Sequence, residues 1–249
     1  DILKNNPVHK TPGNNLAYFL NKTSANVRWL RYIYFTSVVR NHFENISPPN
    51  ITLDIGSYYG GFQYLMSSIF PGISQIMVDF PHQLSRSAIF LTQSFPFAKL
   101  YAIYDNESFN TFFLSENLPR FDFLLVSIDF YHRFSNAFIE KNKRIDLLTS
   151  FFSLGEIPKR DFASYLTSKI LTSSKHLYFC NRYDSSPFYE KTYDESYSLL
   201  DYLIDGFTIK LNRSTGIHNY MMPLRKLYGI NKPRPTSSGY FDLIQTNDQ

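Results

Sequence analysis

Cysteine is nearly absent from the chain: Cys180, in the apolar run Leu177-Tyr178-Phe179-Cys180, is the single one among 249 residues. One thiol excludes an internal disulfide and a cysteine-built metal site. It fits a reducing compartment, so a cytoplasmic location is expected. No His, Asp and Glu set stands at ligand spacing, so no metal is expected. Long apolar runs are missing too; none reaches the roughly eighteen residues of a membrane-spanning helix, and no charged-then-apolar leader is visible. Charge is sparse at 18% of residues, and the net +4 comes from scattered Lys and Arg, so nucleic acid is not an expected partner. Aromatics are abundant instead, with 24 Phe and 19 Tyr, which reads as compositional bias rather than ligand contacts.

The chain is long enough for one large α/β domain with a full core. Residues 1–23 are polar and broken by Pro7, Pro12 and Gly13, and read as an arm. A helix is expected from Ser24, as N-cap, to Glu44, because Val27, Leu30, Tyr34, Val38 and Phe35, Val39, Phe43 recur at helical spacing. Its Arg28, Arg31 and Arg40 are expected on the solvated face. Pro48 and Pro49 end it, which divides the chain into an N-terminal arm and helix over 1–49 and a main domain over 50–249.

The main domain alternates. Strands are expected at 51–55, 75–79, 121–127, 146–151 and 175–180, and helices at 61–70, 83–94 and 193–204, the last with Tyr197, Leu200, Leu203 and Ile204 inward. Strands at 207–211 and 240–245 have only a long Pro-rich connection between them, so an antiparallel pair is expected to close the sheet. The fold read from this order is Rossmann-like: a mostly parallel seven-stranded sheet with helices on both faces and a C-terminal antiparallel strand pair.

Residues 53–61, Leu-Asp-Ile-Gly-Ser-Tyr-Tyr-Gly-Gly, form an apolar approach, the carboxylate Asp54, and a glycine-bearing turn into a helix. Glycine lets a backbone turn tightly against an adenosyl ligand. Asp79 ends the next strand and can accept from both ribose hydroxyls; the alternative is that it caps the helix starting near Pro81.

This chain resembles the class I S-adenosylmethionine-dependent methyltransferases, and within them the sugar O-methyltransferase family. The family's first motif, Glu/Asp-Ile-Gly-Gly-Gly-Tyr-Gly-Gly, is matched by Asp54, Ile55, Gly56, Tyr59, Gly60 and Gly61, while Ser57 and Tyr58 depart. Val78-Asp79-Phe80-Pro81 is similar to its second motif. Asp146-Leu147 through Phe152-Ser153-Leu154-Gly155-Glu156-Ile157 is similar to its third, with Ser150 for the usual Asn and Ile157 for the usual Met. Tyr178-Phe179-Cys180-Asn181-Arg182 resembles a later Tyr-x-x-Asn-Arg. The resemblance spans about residues 50–185 and implies S-adenosylmethionine as cofactor and methyl transfer to a hydroxyl of a sugar-type small molecule.

Transfer to a hydroxyl asks for in-line positioning and a base. Glu156, on the loop after the fourth strand, is the first candidate, although Ser153 and Glu156 also have capping-box spacing. His132 and His218 are further candidate bases on loops. Asp54, Gly56, Ser57, Tyr59, Gly60, Gly61 and Asp79 are expected at the cofactor, with Ser127 or Asp129 at the adenine if 121–127 is the third strand and Asp105 if 99–104 is. Ser153, Asn181 and Arg182 are expected at the acceptor, Asn181 and Arg182 offering a fork of donors for an anionic or polyhydroxylated molecule. Two other readings stay open, a methyltransferase fold without activity and a nicotinamide-dependent oxidoreductase, and so does the choice between monomer and homodimer.

Overall fold

The computed structural model describes residues 18–20, 23–25, 27–185, 197–215 and 239–248. Two short strands, β1 (Tyr18–Leu20) and β2 (Thr23–Ala25), form an antiparallel pair ahead of helix α1 (Val27–His42). Ser24 therefore lies in a strand and does not cap α1.

From Ile51 onward, short apolar runs make strands and the stretches between them make helices. The order is β3 (Ile51–Ile55), α2 (Gly61–Ile69), β4 (Ser74–Asp79), α3 (Pro81–Ser94), β5 (Leu100–Ile103), α4 (Asn106–Phe113), β6 (Phe123–Ser127), α5 (Tyr131–Glu140) and β7 (Leu147–Phe151). It continues through α6 (Lys159–Leu166), α7 (Lys169–Thr172), β8 (His176–Arg182), β9 (Asp184–Ser185), β10 (Tyr197–Ser198), β11 (Phe207–Ser214) and β12 (Tyr240–Asn247). Strands β6 and β7 are buried at every position, the mark of a sheet covered on both faces.

The main sheet has eight strands in the order β11-β12-β8-β7-β3-β4-β6-β5. All pairs are parallel except those that β12 makes with β8 and β11, so the expected closing antiparallel pair is present. The expectation of seven strands misses β5. It is short, with Tyr101 and Ala102 exposed, and so lacks the apolar run that marks its neighbours. Because β5 is the outer edge, it is β6 that lies beside β4, and Phe123–Ser127 is the strand next to the Asp79 strand.

Alternate side chains of the strands feed different cores. Leu53, Ile55, Ile76 and Val78 pack with Phe109 of α4, Phe134 of α5 and Phe162 of α6. Met77 and Leu125 pack with Leu84 and Leu91 of α3, while Phe151 and Tyr178 pack with Phe35 and Val39 of α1 and Phe62 of α2. The expected helix over 193–204 is not found in its described part: residues 197–198 are strand β10 and Leu199–Tyr202 is a single 3-10 turn. Leu200 and Leu203 face solvent there, while Tyr202 is buried, donating nothing to a helical stripe.

Candidate active site

The chain leaves β3 toward β4 on one side and later returns to β7 on the other, so β3 and β7 flank the switch point, where open α/β sheets bind ligands beyond the strand C-termini. The turn after β3 is built by glycine. Gly56 has φ 85°, and a Cβ there would stand 1.7 Å from Ser153 Oγ, so the turns after β3 and β7 touch at this point. Gly60 has φ 89°, and its missing Cβ would meet Leu91 of α3 at 3.2 Å. Gly60 thus serves the turn and the packing of α3, whereas Gly56 makes room for the Ser153 side chain of the turn after β7. Gly61 opens α2 against Tyr32 and Tyr59. Tyr59 is buried between Tyr32 and Phe90, so its ring belongs to the core.

Three of the turn's amides are already used. Gly56 N donates to Val78 O at 2.8 Å, Tyr58 N to Asp79 Oδ2 at 2.7 Å, and Gly60 N to Ser57 O at 3.3 Å. Tyr58 itself is in the left-handed region at φ 54°, held there by Asp79 and by Ser87 Oγ, which donates to its carbonyl at 2.6 Å. Asp79 also accepts from Phe80 N at 2.7 Å. It does not cap α3, whose N-cap is Phe80 with no side-chain cap bond. Instead its carboxylate ties the end of β4 to the turn after β3. Burial pushes its pKa above the usual range, against the pull of those two amides.

Asp54 lies under the turn. Thr149 Oγ1 donates to Oδ1 at 2.6 Å and Gln63 Nε2 to Oδ2 at 2.8 Å, and burial raises its pKa to about 6 despite both bonds. It braces β3, β7 and α2 from below the crevice. Two buried polar atoms in the same place have no hydrogen-bond partner, Ser57 Oγ and Gln63 Oε1. Native interiors rarely leave such atoms unmatched without a reason.

At the other strand ends, Ser127 is paired in register with Asp79, and its hydroxyl reaches Asp129 Oδ2 at 3.4 Å. Asp129 is exposed on the 3-10 turn Ile128–Phe130. Asp105 caps α4 through a reciprocal box with Ser108, beyond the edge strand, and is removed from the candidates for the adenine. Glu156 is exposed on the 3-10 turn Leu154–Glu156, and the Ser153 side chain makes no cap bond, so the capping-box alternative is not formed. Phe152, between β7 and this turn, has φ 69°, an outlying conformation for a bulky residue that is typical of functional sites.

His132 is on α5 rather than on a loop. Its Nε2 lies 3.1 Å from Ser164 Oγ, whose own hydrogen goes to Asp161 O at 2.7 Å. His218 lies outside the described residues. Asn181 is buried and committed, donating to Tyr202 Oη at 2.6 Å and accepting from Arg182 N at 2.8 Å. It holds the end of β8, and only Arg182 of that pair keeps its side chain at the rim.

Sequence reasoning places Arg28 and Arg31 in solvent, and the structure places them against the crevice. Arg28 lies 4.1 Å from the centre of the Tyr58 ring and Arg31 5.4 Å from that of Phe152. Their three-residue spacing on a helix puts them on one side, which is the signal that was there to use. Phe80, which follows Asp79, was also missed: it is 49% exposed, and its ring stacks on that of His82 at 5.8 Å. Among the described residues no cluster of three or more His, Cys, Asp or Glu could hold a metal.

No protein-family model matches the sequence, and neither does any curated protein. Solved structures do match over most of the chain. The N-methyltransferase NodS of Bradyrhizobium japonicum WM9, in complex with S-adenosyl-L-homocysteine, superposes with a TM-score of 0.52 at 11% identity, covering 90% of this chain and 88% of that one. Magnesium protoporphyrin IX methyltransferase of Synechocystis PCC 6803 with bound SAM gives 0.50 at 10% identity, covering 88% and 79%. An O-methyltransferase family protein of Burkholderia thailandensis gives 0.50 at 10% identity, covering 88% and 56%. At such identities what is shared is architecture: the chain has the α/β fold of the S-adenosylmethionine-dependent methyltransferases.

Proposed function

We propose that the chain is an S-adenosylmethionine-dependent methyltransferase that modifies a hydroxyl of a small, sugar-type acceptor. The observation that carries this reading is the turn after β3. Its amides at Gly56, Tyr58 and Gly60 are spent on Val78, Asp79 and Ser57, so none of them is left for a pyrophosphate, which argues against a nicotinamide dinucleotide. The same turn presents what an adenosyl amino acid needs. Ser57 Oγ is buried and awaits a partner, next to Ser153, whose side chain fills the space left by Gly56. Asp79 retains lone pairs for the ribose hydroxyls, and Phe80 offers a face to the adenine, with Ser127 and Asp129 at its edge. Arg28 over Tyr58 is the cation beside this turn that suits the carboxylate of the amino acid.

When bound, the cofactor supplies an electrophilic methyl on a sulfonium. The residues of the chain orient the acceptor and take its proton. Glu156, exposed on the turn after β7, is the carboxylate placed to accept that proton, and Ser153 lies where the β3 and β7 turns meet, between cofactor and acceptor. His132 is the second candidate base.

The test is calorimetric and kinetic. S-adenosyl-L-homocysteine is expected to bind and NADH not to bind; the reverse result would overturn the reading. Glu156→Gln is expected to keep S-adenosyl-L-homocysteine affinity within about twofold and to lower transfer to sugar acceptors by ~10²–10⁴. Full activity in Glu156→Gln would return the base to His132.

A further inference from the structure

The two edges of the main sheet are finished differently. At one edge β11 carries Lys210 and Arg213, both exposed, and its register on β12 shifts between Ile209 and Leu211. Charge and irregularity of this kind keep an edge strand from pairing with another chain. At the other edge β5 reads Leu100-Tyr101-Ala102-Ile103, with no charge, no proline and an unbroken register on β6. Nothing blunts this edge, and exposed aromatics accompany it along the chain: Phe97 is 99% exposed, and Tyr101 and Tyr104 are exposed as well.

The backbone shows which groups are open. Among the described residues β5 pairs with β6 alone. Phe123 N donates to Lys99 O at 3.1 Å, so strand alternation turns the N–H and C=O of Lys99, Tyr101 and Ile103 toward β6 and those of Leu100, Ala102 and Tyr104 outward. Ser108 Oγ accepts from Tyr104 N at 3.1 Å, while the outward groups of Leu100 and Ala102 face away from the sheet.

This edge is complementary to itself. In an antiparallel pair centred on Ala102, that residue faces Ala102 of the second copy; the two exchange both backbone hydrogen bonds, and only methyl groups stand at the axis. Leu100 then faces Tyr104, Tyr101 faces Ile103, and Lys99 faces Asp105, whose backbone is extended. Lys99 is exposed and, among the described residues, in no ion pair. Hydrogen bonds from the Ser108 hydroxyl and amide hold the Asp105 carboxyl below its usual range, so it is ionised. The position they share is a non-hydrogen-bonded one, where facing side chains stand closest and opposite charges attract. A shift of two residues would set Lys99 against Ile103, so the charges fix the register.

We propose that two copies of this chain associate through β5, edge to edge and antiparallel about Ala102, joining their eight-stranded sheets into one. The contact is isologous and uses up the open edge, so assembly stops at two. Because the paired strands run in opposite directions, the two crevices open at opposite ends of the joined sheet. None of this depends on the methyltransferase reading.

The full chain is followed by sedimentation velocity over a concentration series and by amide hydrogen exchange. A dimer is expected, in which the Leu100 and Ala102 amides gain protection as concentration rises. Ala102→Lys puts two like charges at the axis from an exposed position, and should weaken the dimer by about tenfold or more with an unchanged circular dichroism spectrum. Lys99→Glu opposes two carboxylates at each end and should weaken it less, in a way that added salt relieves. Should Ala102→Lys fail to fold, the exchange of the wild-type Leu100 and Ala102 amides decides. A monomer at every concentration, a dimer in which those two amides exchange as in the monomer, a folded Ala102→Lys dimer of undiminished affinity, or growth past two copies overturns the proposal.

Discussion

The two ends of the parallel strands are built to different standards. At the N-terminal end Asp146 accepts from Asn50 N at 2.8 Å, from Ile51 N at 3.1 Å and from the Lys175 ammonium, so its carboxylate is matched on every side. His42 Nε2 and His176 Nδ1 meet at 3.1 Å, and Thr246 Oγ1 joins His176 at 3.0 Å. At the C-terminal end Ser57 Oγ and Gln63 Oε1 are unmatched, Arg28 and Arg31 stand side by side, and Tyr58 and Phe152 hold left-handed backbone. Among the described residues the other non-glycine residue with positive φ, Asn142, is of a type that adopts it readily. Strain and unmet polarity collect where a ligand would relieve them, and the far end supplies the stability that tolerates this.

The largest effect expected from breaking this contrast comes from its two carboxylates. Asp146→Ala and Asp79→Ala each remove two or more charge-assisted bonds and should each lower stability by ~3–5 kcal/mol. Only Asp79→Ala should also weaken S-adenosyl-L-homocysteine binding, by about tenfold or more, because it frees the Tyr58 amide and the ribose site together. Chemical denaturation and calorimetry on both variants check this; equal binding losses would dissolve the distinction.

Next in size is an opposition in pH dependence. Asp54, with its pKa raised to about 6, favours folding most when protonated, so its contribution is present at about pH 4 and is lost as pH rises through 6, by up to ~3 kcal/mol. His176 is lowered to about 4 by burial and then by His42, so its contribution is present above about pH 6.5 and is lost as pH falls toward 4. The two oppose each other in the wild type. Asp54→Asn should remove the first slope, since Gln63 can turn its unmatched Oε1 toward the new amide, and urea melts between about pH 4 and 7 should then show stability falling toward acid. An unchanged profile would mean that Asp54 titrates normally.

The smallest effect is the most specific. Ser57→Ala deletes a buried hydroxyl with no partner, so the free protein should be equally stable or more stable by up to ~1 kcal/mol, while S-adenosyl-L-homocysteine affinity falls severalfold. A clear loss of stability would show that the hydroxyl already has a role in the free chain.

Much of the architecture is legible because its signals are local. Apolar runs at Ile51–Ile55, Phe123–Ser127 and Leu147–Phe151 are buried on both faces, and the glycine turn follows the first of them. What is missed depends on contacts between distant segments. Leu100–Ile103 is a strand because β6 offers it an edge, and Tyr202 is buried against Phe162 and Phe241 in spite of a helical spacing that points to Leu200 and Leu203. Arg28 and Arg31 read as solvated cations until Tyr58 and Phe152 are brought beneath them from other parts of the chain. Asn181 reads as a donor for substrate and turns out to be held by Tyr202.

Helix α1 stands outside the alternation of strands and helices that makes the sheet, yet its sixteen residues run from the crevice rim at Arg28 to the His176 pair at the far end. Phe35 stacks on Phe151 at 3.9 Å, and Tyr34 joins the buried carboxylate of Asp242, so the helix is anchored along its middle and leaves its first turns to face the crevice. A lineage could therefore exchange one or two side chains near the start of this helix and change which molecules are accepted, while the turn after β3, the Asp79 brace and the core are inherited unaltered.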